Sequence, residues 1–305
     1  TKDRDLVSIK VIVDGSPVKD IYEISEIRVF KAVNRVASAQ VRLIDGSAAE
    51  EDFKLSASDT FVPGKSIELQ VGFGLDTKSI FKGVITAQNI RTTFGRGPEL
   101  RLECRDKAMK MTIGAKNRVF TDSTDSDALS KIIGDNGVAA EVSSTSNEFP
   151  QIVQYYATDW DFTMARAETN GMIIVNTDNK VSVKVPGQGA SVGKFTFGQE
   201  IVEMNLNMDA SNQLGAVEAL AWDYKSQATV DSSSSDPSVP DQGNISGKKL
   251  SEVTAPATFQ LQSTTPLSSE DLKTWADARL LKSRLAKIRG TLKLFGQADF
   301  EPDSL

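Results

Sequence analysis

Over residues 1–112 apolar and polar positions alternate in short runs: "LVSIKVIVDG", "YEISEIRVF", "SAQVRLIDG", "SIELQVGFG", "SIFKGVITAQNI" and "ELRLECRD". Period-two placement turns one side of each run towards a core and the other towards water, and most runs are bounded by Gly, Asp or Pro. The pattern predicts half-buried antiparallel strands. Asp-Gly pairs at 14–15 and 45–46 add turn signals. Six strands at this spacing predict a small barrel or sandwich.

From 113 to 190 the period changes. "TDSTDSDALSKIIGDNG" places capping residues Ser123 and Asp125 before Leu129, Ile132 and Ile133 and stops at Gly137, which predicts a short helix. "DWDFTMARAETN" predicts a second helix from Asp159 to Asn170 with Asp159 at its cap. "GMIIVNTDNKVSVKVPG" predicts a hairpin turning at Asp178-Asn179.

Alternation returns from 191 in "GKFTFGQEIVEMNLNMD" and "QLGAVEALAWDY". It is interrupted at 231–247 by "DSSSSDPSVPDQGNISG", too polar to offset its chain entropy by burial. This tract predicts a mobile loop inserted within a domain, with a partner-contacting loop as the alternative. A helix follows over 269–289: Ser268 or Ser269 caps it, Glu270 and Asp271 occupy the first turn and Gly290 ends it. Leu272, Trp275, Ala278, Leu281, Leu285 and Ile288 form its expected buried stripe. Lys282, Arg284, Lys287 and Arg289 read either as a solvated face or as an interface for an acidic partner. Finally, "FEPDSL" at 300–305 echoes "FVPGKSIEL" at 61–69, which leads into a strand, so a strand is expected to begin at the end of this sequence and the natural protein to continue. The chain divides into a strand-rich region 1–112, an α+β middle 113–190 and a strand-rich region 191–305.

The 305 residues allow two or more domains, and 25% charged with 39% hydrophobic residues is a globular composition. A formal charge of −6 disfavours nucleic acid, whose phosphates call for clustered cations. One cysteine, Cys104, forms neither an intrachain disulfide nor a thiolate cage, and a cytosolic folding compartment fits. There is no histidine, which removes the imidazole on which most Ser, Cys and Zn chemistry relies. No stretch approaches the ~20 apolar residues of a spanning helix, and "TKDRDLVSIK" lacks the order of a signal peptide.

No motif supplies chemistry. Asp159 and Asp161, two apart, would lie about 200° apart on a helix and share no substrate. "GFG" at 72–74 and "FGRG" at 94–97 lack the helix and Lys-Ser/Thr of a phosphate cradle. "TDSTDSD" at 121–127 lacks the Gly and Glu of a calcium loop, and "NIS" at 244–246 has no secretion signal to make it a glycan acceptor. Catalytic, cofactor and metal residues are assigned to none.

The run "NRVFTDSTDSDALSKIIGDNGV", with "FPQIVQYYATDWDFTMARAETNGMIIV", resembles the VgrG group: the baseplate hub and spike proteins of contractile phage tails, type VI secretion systems and extracellular contractile injection particles. The family order is Arg-x-Phe, a short helix, Val-Gln-Tyr, an acid, Asp-x-Asp-Phe, an Arg, an acid and a Gly. Here these are Arg118, Phe120, Val153, Gln154, Tyr155, Asp159, Asp161, Phe162, Arg166, Glu168 and Gly171. "SIFKGVIT" at 79–86 and the closing "ADARLLKSRLAKIRGTLKLFGQADFEPDSL" are weaker likenesses, the latter resembling the helix and strand before a spike. This sequence departs from the family in stopping at Leu305 and in its 231–247 tract. The resemblance implies a β-rich α+β, phage-tail-hub-like fold, with two similar small antiparallel β-barrels flanking an α+β middle region. It implies a non-enzymatic homotrimer, made in the cytoplasm and assembled into a particle baseplate. Its partners would be a hexameric inner tube, a trimeric spike or tip protein and baseplate wedge proteins. The rival readings are a spike-associated carboxylate-type hydrolase and a secreted β-rich glycan or receptor binding module.

Overall fold

The computed structural model describes residues 7–19, 21–47, 51–93, 96–187, 191–239, 242–253 and 256–304. The N-terminal strands are β1 (Val7–Val13), β2 (Ser16–Pro17), β3 (Ile24–Phe30), β4 (Ser38–Ile44), β5 (Ser66–Phe73), β6 (Asp76–Thr93) and β7 (Arg96–Arg105). They form one seven-stranded sheet in the order β2-β1-β5-β6-β7-β4-β3, with antiparallel pairing throughout. All six expected strands are present. Asp14 and Gly15 turn β1 into β2 with φ of 47° and 78°, the left-handed pair that a tight hairpin demands. Asp45-Gly46 turns no hairpin: the Asp45 carboxylate is buried and accepts hydrogen bonds from the Leu55 and Ser56 amides, fastening a long loop.

Strand β6 is 18 residues long, pairing with β5 over its first part and β7 over its second, with register shifts that let it bend between them. The inward residues of every long strand, among them Val41, Leu69, Phe81, Leu100 and Leu102, meet in one core.

The middle region contains β8 (Lys116–Thr124), α1 (Asp125–Asp135), β9 (Ala139–Val142), β10 (Glu148–Ala157), α2 (Asp159–Thr169), β11 (Ile173–Thr177) and β12 (Lys180–Lys184). β10 pairs with β8 antiparallel, and β9 joins the β11–β12 hairpin in parallel. Leu129, Ile132, Ile133, Trp160, Phe162 and Ile174 share the core between helices and strands. The hairpin turns at Asp178 and Asn179, both at positive φ. The helix caps lie one residue from the expected ones. Thr124, rather than Ser123 or Asp125, caps α1 in a reciprocal box with Asp127, and Thr158 caps α2, which frees Asp159 for other use.

The C-terminal region contains β13 (Ile201–Met208), β14 (Ala216–Asp223), β15 (Ala228–Ser233), α3 (Gly247–Ser251), β16 (Thr258–Ser263), α4 (Ser269–Leu285) and β17 (Ile288–Leu294). β13 pairs with β17 as a two-stranded ribbon; β15, β14 and β16 form a second sheet in which β14 and β16 are parallel. Leu272, Ala276 and Leu280 of α4 pack on Val217, Ala219 and Ala221 of β14.

Three expectations are corrected here. Helix α4 ends at Leu285 and not at 289, because Ile288–Leu294 leaves it to pair with β13; Gly290 sits in that strand, where a Cβ would meet the Asn205 carbonyl oxygen at 1.9 Å. Its buried side accordingly runs through Leu272, Ala276, Ala278, Leu280, Ser283 and Arg284, while Leu285 is exposed. The 231–247 tract is no featureless loop: residues 231–233 end β15, Ser234 donates to the Val217 carbonyl, Ser235 donates to Asp277 and Asp236 binds Arg284. A buried guanidinium needs a carboxylate, and this polar segment supplies it. Residues 240 and 241 of the tract lie outside the described residues. Residues 302 and 303 form a turn, as do the matching residues 63 and 64 ahead of β5. Several antiparallel sheets and few helices make the chain β-rich, as expected.

Candidate functional site

Three of the signature residues, Arg118, Gln154 and Asp159, converge on one buried network. Asp159 is fully buried, and its carboxylate accepts hydrogen bonds from Lys116 Nζ at 2.5 Å, Asn136 Nδ2 at 2.7 Å and Gln154 Nε2 at 3.0 Å, with Arg118 Nη2 at 3.4 Å. Burial alone would push this carboxyl up; the three hydrogen bonds and the Arg118 charge outweigh it and hold the group below the usual carboxylate range. One side chain thus joins β8, the end of α1, β10 and the start of α2.

Asp161 is exposed and closes onto the Thr158 hydroxyl at 2.7 Å. The two aspartates therefore have separate partners and separate surroundings, and do not form a working pair. Arg166 reaches Asp125 through both Nε (2.5 Å) and Nη2 (2.7 Å) and lies 5.1 Å from the Phe149 ring centroid; Asn170 completes that carboxylate at 2.8 Å. This fork ties α2 to the first turn of α1. Phe120 and Phe162 stack with centroids 6.5 Å apart. Glu168 pairs with Lys282 of α4, and Gly171, at φ 67°, lets α4 approach so closely that a Cβ would lie 3.2 Å from Ala278 Cα.

Val153 and Tyr155 behave differently. They face outward at 50% and 82% exposure, beside Val119 at 55%. A register shift between Gln154 and Ala157 throws Tyr155 and Tyr156 out of the ladder, and Tyr156, at φ 45°, is held by Asn117.

Sequence reasoning missed Lys116 and Asn136 as partners of Asp159, and the pairing of Asp125 with Arg166. Asp125 carried a signal as a helix-start acid; Lys116 and Asn136 lie 43 and 23 positions from Asp159, with no periodicity to connect them.

The four cations assigned to an interface divide. Arg284 and Lys287 are each 6% exposed and act internally, Arg284 on Asp236 and the Leu214 carbonyl, Lys287 on the Ile245 carbonyl. Neither presents its charge to a partner from a solvated face. Lys282 and Arg289 are exposed.

An uncovered apolar surface lies elsewhere, on the β13–β17 ribbon. Val202, Met204, Leu206 and Leu292 are 46–56% exposed, and the register sets Met204 opposite Leu292 on one face. The segment after the ribbon returns to the other two regions: Asp299 pairs with Lys78 at 2.8 Å, Glu301 with the largely buried Lys31 at 2.5 Å, and Asp303 with Lys184 at 3.0 Å.

Among the described residues no group of three or more His, Cys, Asp or Glu is placed to hold a metal ion. Cys104 is buried in the N-terminal core, and burial pushes its thiol up to about 12, which makes it a packing residue. No helix among the described residues is long and apolar enough to cross a membrane.

This arrangement has counterparts of known structure. A 43 kDa tail protein of prophage MuSo2 from Shewanella oneidensis superposes with a TM-score of 0.66 at 10% identity, over 95% of this chain and 83% of that one. A tail protein from Neisseria meningitidis MC58 superposes with a TM-score of 0.61 at 15% identity, over 95% and 81%. At such identities the likeness shows the fold, which is that of phage tail proteins. No curated protein sequence matches the chain. A family model described as the Alg8 N-terminal domain matches residues 3–305, nearly every position of the sequence, and the chain belongs to that family.

Proposed function

We propose that this chain is the structural hub of a contractile injection machine's baseplate, a homotrimer that adapts a hexameric inner tube to a trimeric spike or tip, with wedge proteins around it. The observation that carries the reading is the use made of the Asp-x-Asp-Phe segment. Asp159 and Arg166 are consumed in holding strands and helices together, so the most chemistry-like stretch of the sequence builds a scaffold. The tail-protein fold and the uncovered apolar ribbon support the same reading, since a two-stranded ribbon with an exposed apolar face is marginal until something covers it. Each subunit would contribute two strand-rich regions, a seven-stranded sheet and a ribbon beside a three-stranded sheet, so three subunits would give six lobes, six around the ring on one side and three-fold on the other. Closed rings of this kind use heterologous contacts, and obligate interfaces typically bury more than ~2,000 Å². The machine would then drive tube, hub and spike forward as one body.

Negative-stain imaging of the purified chain tests this. Three-fold end-on views with six lobes, and a scattering mass three times the 33.0 kDa of the chain, are expected. A monodisperse monomer at all accessible concentrations would sink the trimer.

A further inference from the structure

Where α2 meets α4 and β16, the surface opens into a groove of ≈ 350 Å³ lined by Phe259, Leu261, Trp275, Ala278 and Arg279, with Lys282 and Glu168 at its polar side. Two of its polar side chains have partners within the chain. The Thr169 hydroxyl donates to the Ala165 carbonyl, and Lys282 pairs with Glu168. The other cations of α4 also have carboxylates: Lys273 has Asp277 at 3.3 Å and Arg284 has Asp236 at 2.8 Å. Arg279 has none among the described residues. Its guanidinium lies 5.3 Å from the Phe259 ring centroid, which leaves its N–H donors free.

We propose that this groove binds an extended segment of a partner protein, in which an Asp or Glu carboxylate takes Arg279 and an adjacent aliphatic side chain packs on Trp275 and Leu261. Charge complementarity selects this occupant. The unpaired group is a guanidinium, which donates and cannot accept, so it favours an anion over a neutral sugar, whose hydroxyls need both. Arg279 and Lys282 against Glu168 leave a local excess of positive charge on a chain whose net charge is −6. The apolar lining calls for an apolar neighbour to the acid. A groove of this size takes only a few residues, so each contact is weak alone and gains strength within an assembly. The inference stands whether or not the chain is a hub, because the groove is complete within one subunit.

The three tryptophans make the test specific. In protein labelled with 5-fluorotryptophan, the Trp275 resonance is assigned by its loss in Trp275→Phe, while the buried Trp160 and the exposed Trp222 serve as internal controls. The probes are acetyl-Leu-Asp-Leu-amide and its asparagine counterpart. The acidic peptide is expected to shift Trp275 saturably with a Kd on the order of 1 mM, leaving Trp160 and Trp222 unmoved, and the asparagine peptide to bind at least about tenfold more weakly. Arg279→Gln is expected to remove the difference between the peptides, with an unchanged Trp160 resonance showing that the fold is intact. Equal binding of the two peptides, no shift up to about 10 mM, or a shift by a neutral oligosaccharide in place of the acidic peptide would each overturn the proposal.

Discussion

Two antiparallel strand pairs in this chain carry the same alternation and meet opposite fates. In β1–β5, Val11 faces Leu69 and both are buried, at 2% and 0% exposure. In β13–β17, Met204 faces Leu292 and both remain about half exposed, at 48% and 46%. The first pair lies within a sheet whose seven strands converge on one core; the second is a ribbon two strands wide. Alternation therefore encodes which face of a strand is apolar, and not whether the same chain supplies its cover.

The sharpest way to break this comparison is to truncate one residue from each pair. Leu69→Ala is expected to lower the unfolding free energy by about 3 kcal/mol, since it leaves a cavity in a closed core. Leu292→Ala should change it by less than about 0.5 kcal/mol in the monomer while weakening self-association. Urea unfolding followed by light scattering reads both effects. Equal destabilisation by the two would mean that the ribbon is already packed within the subunit.

Next in size, Asp159→Asn should cost about 2 kcal/mol, because Lys116 and Arg118 lose their shared counter-charge around a buried position. Asp159 is held below the usual carboxylate range in the folded chain. Its stabilising contribution is therefore fully present above the unfolded value of about 4 and is lost as pH falls through the lower folded value. Unfolding midpoints of the wild type and Asp159→Asn should differ at neutral pH and converge in that acid window; a constant gap down to the lowest pH would refute the account.

Gly290→Val acts on the ribbon alone, because its Cβ would collide with the Asn205 carbonyl. Hydrogen exchange should show amides of β13 opening while those of β4 and β7 keep their protection. Simultaneous loss in both regions would show that ribbon and sheet unfold as one unit. The smallest effect is expected from Glu301→Gln, which removes the charge opposite Lys31 and should cost on the order of 1 kcal/mol, read by the salt dependence of the unfolding midpoint.

The same comparison separates what was legible in the sequence from what was not. Six of the seven N-terminal strands and both middle helices could be read, because their periodicity and turn residues are local signals; the two-residue β2 is too short to carry a period. The caps at Thr124 and Thr158 were misread by one residue, since several capping side chains sit side by side and only the backbone selects among them. The end of α4 was misread because Ile288 continues the helical spacing, whereas pairing with β13, some 80 positions earlier, decides its state. The serine-rich tract at 231–247 looked disordered by composition; Asp236 is ordered by the buried Arg284, which no local pattern shows. Of the signature, the residues that act inward were recognisable as scaffold, but Lys116 and Asn136 were invisible because their contacts span long stretches of chain.

The lysine–carboxylate contacts made by Asp299, Glu301 and Asp303 also bear on the order in which the chain is completed. Lys31 and Glu301 are separated by 270 positions. A ribosome releases Lys31 long before its partner exists, so an N-terminal sheet that folds during synthesis does so with that cation still in water. Closure entropy grows only slowly with loop length, so what delays this contact is the wait for its second partner to be made. The pair therefore records that synthesis has passed residue 301: a nascent or truncated chain has the sheet, but not the fastening that joins it to what was made last.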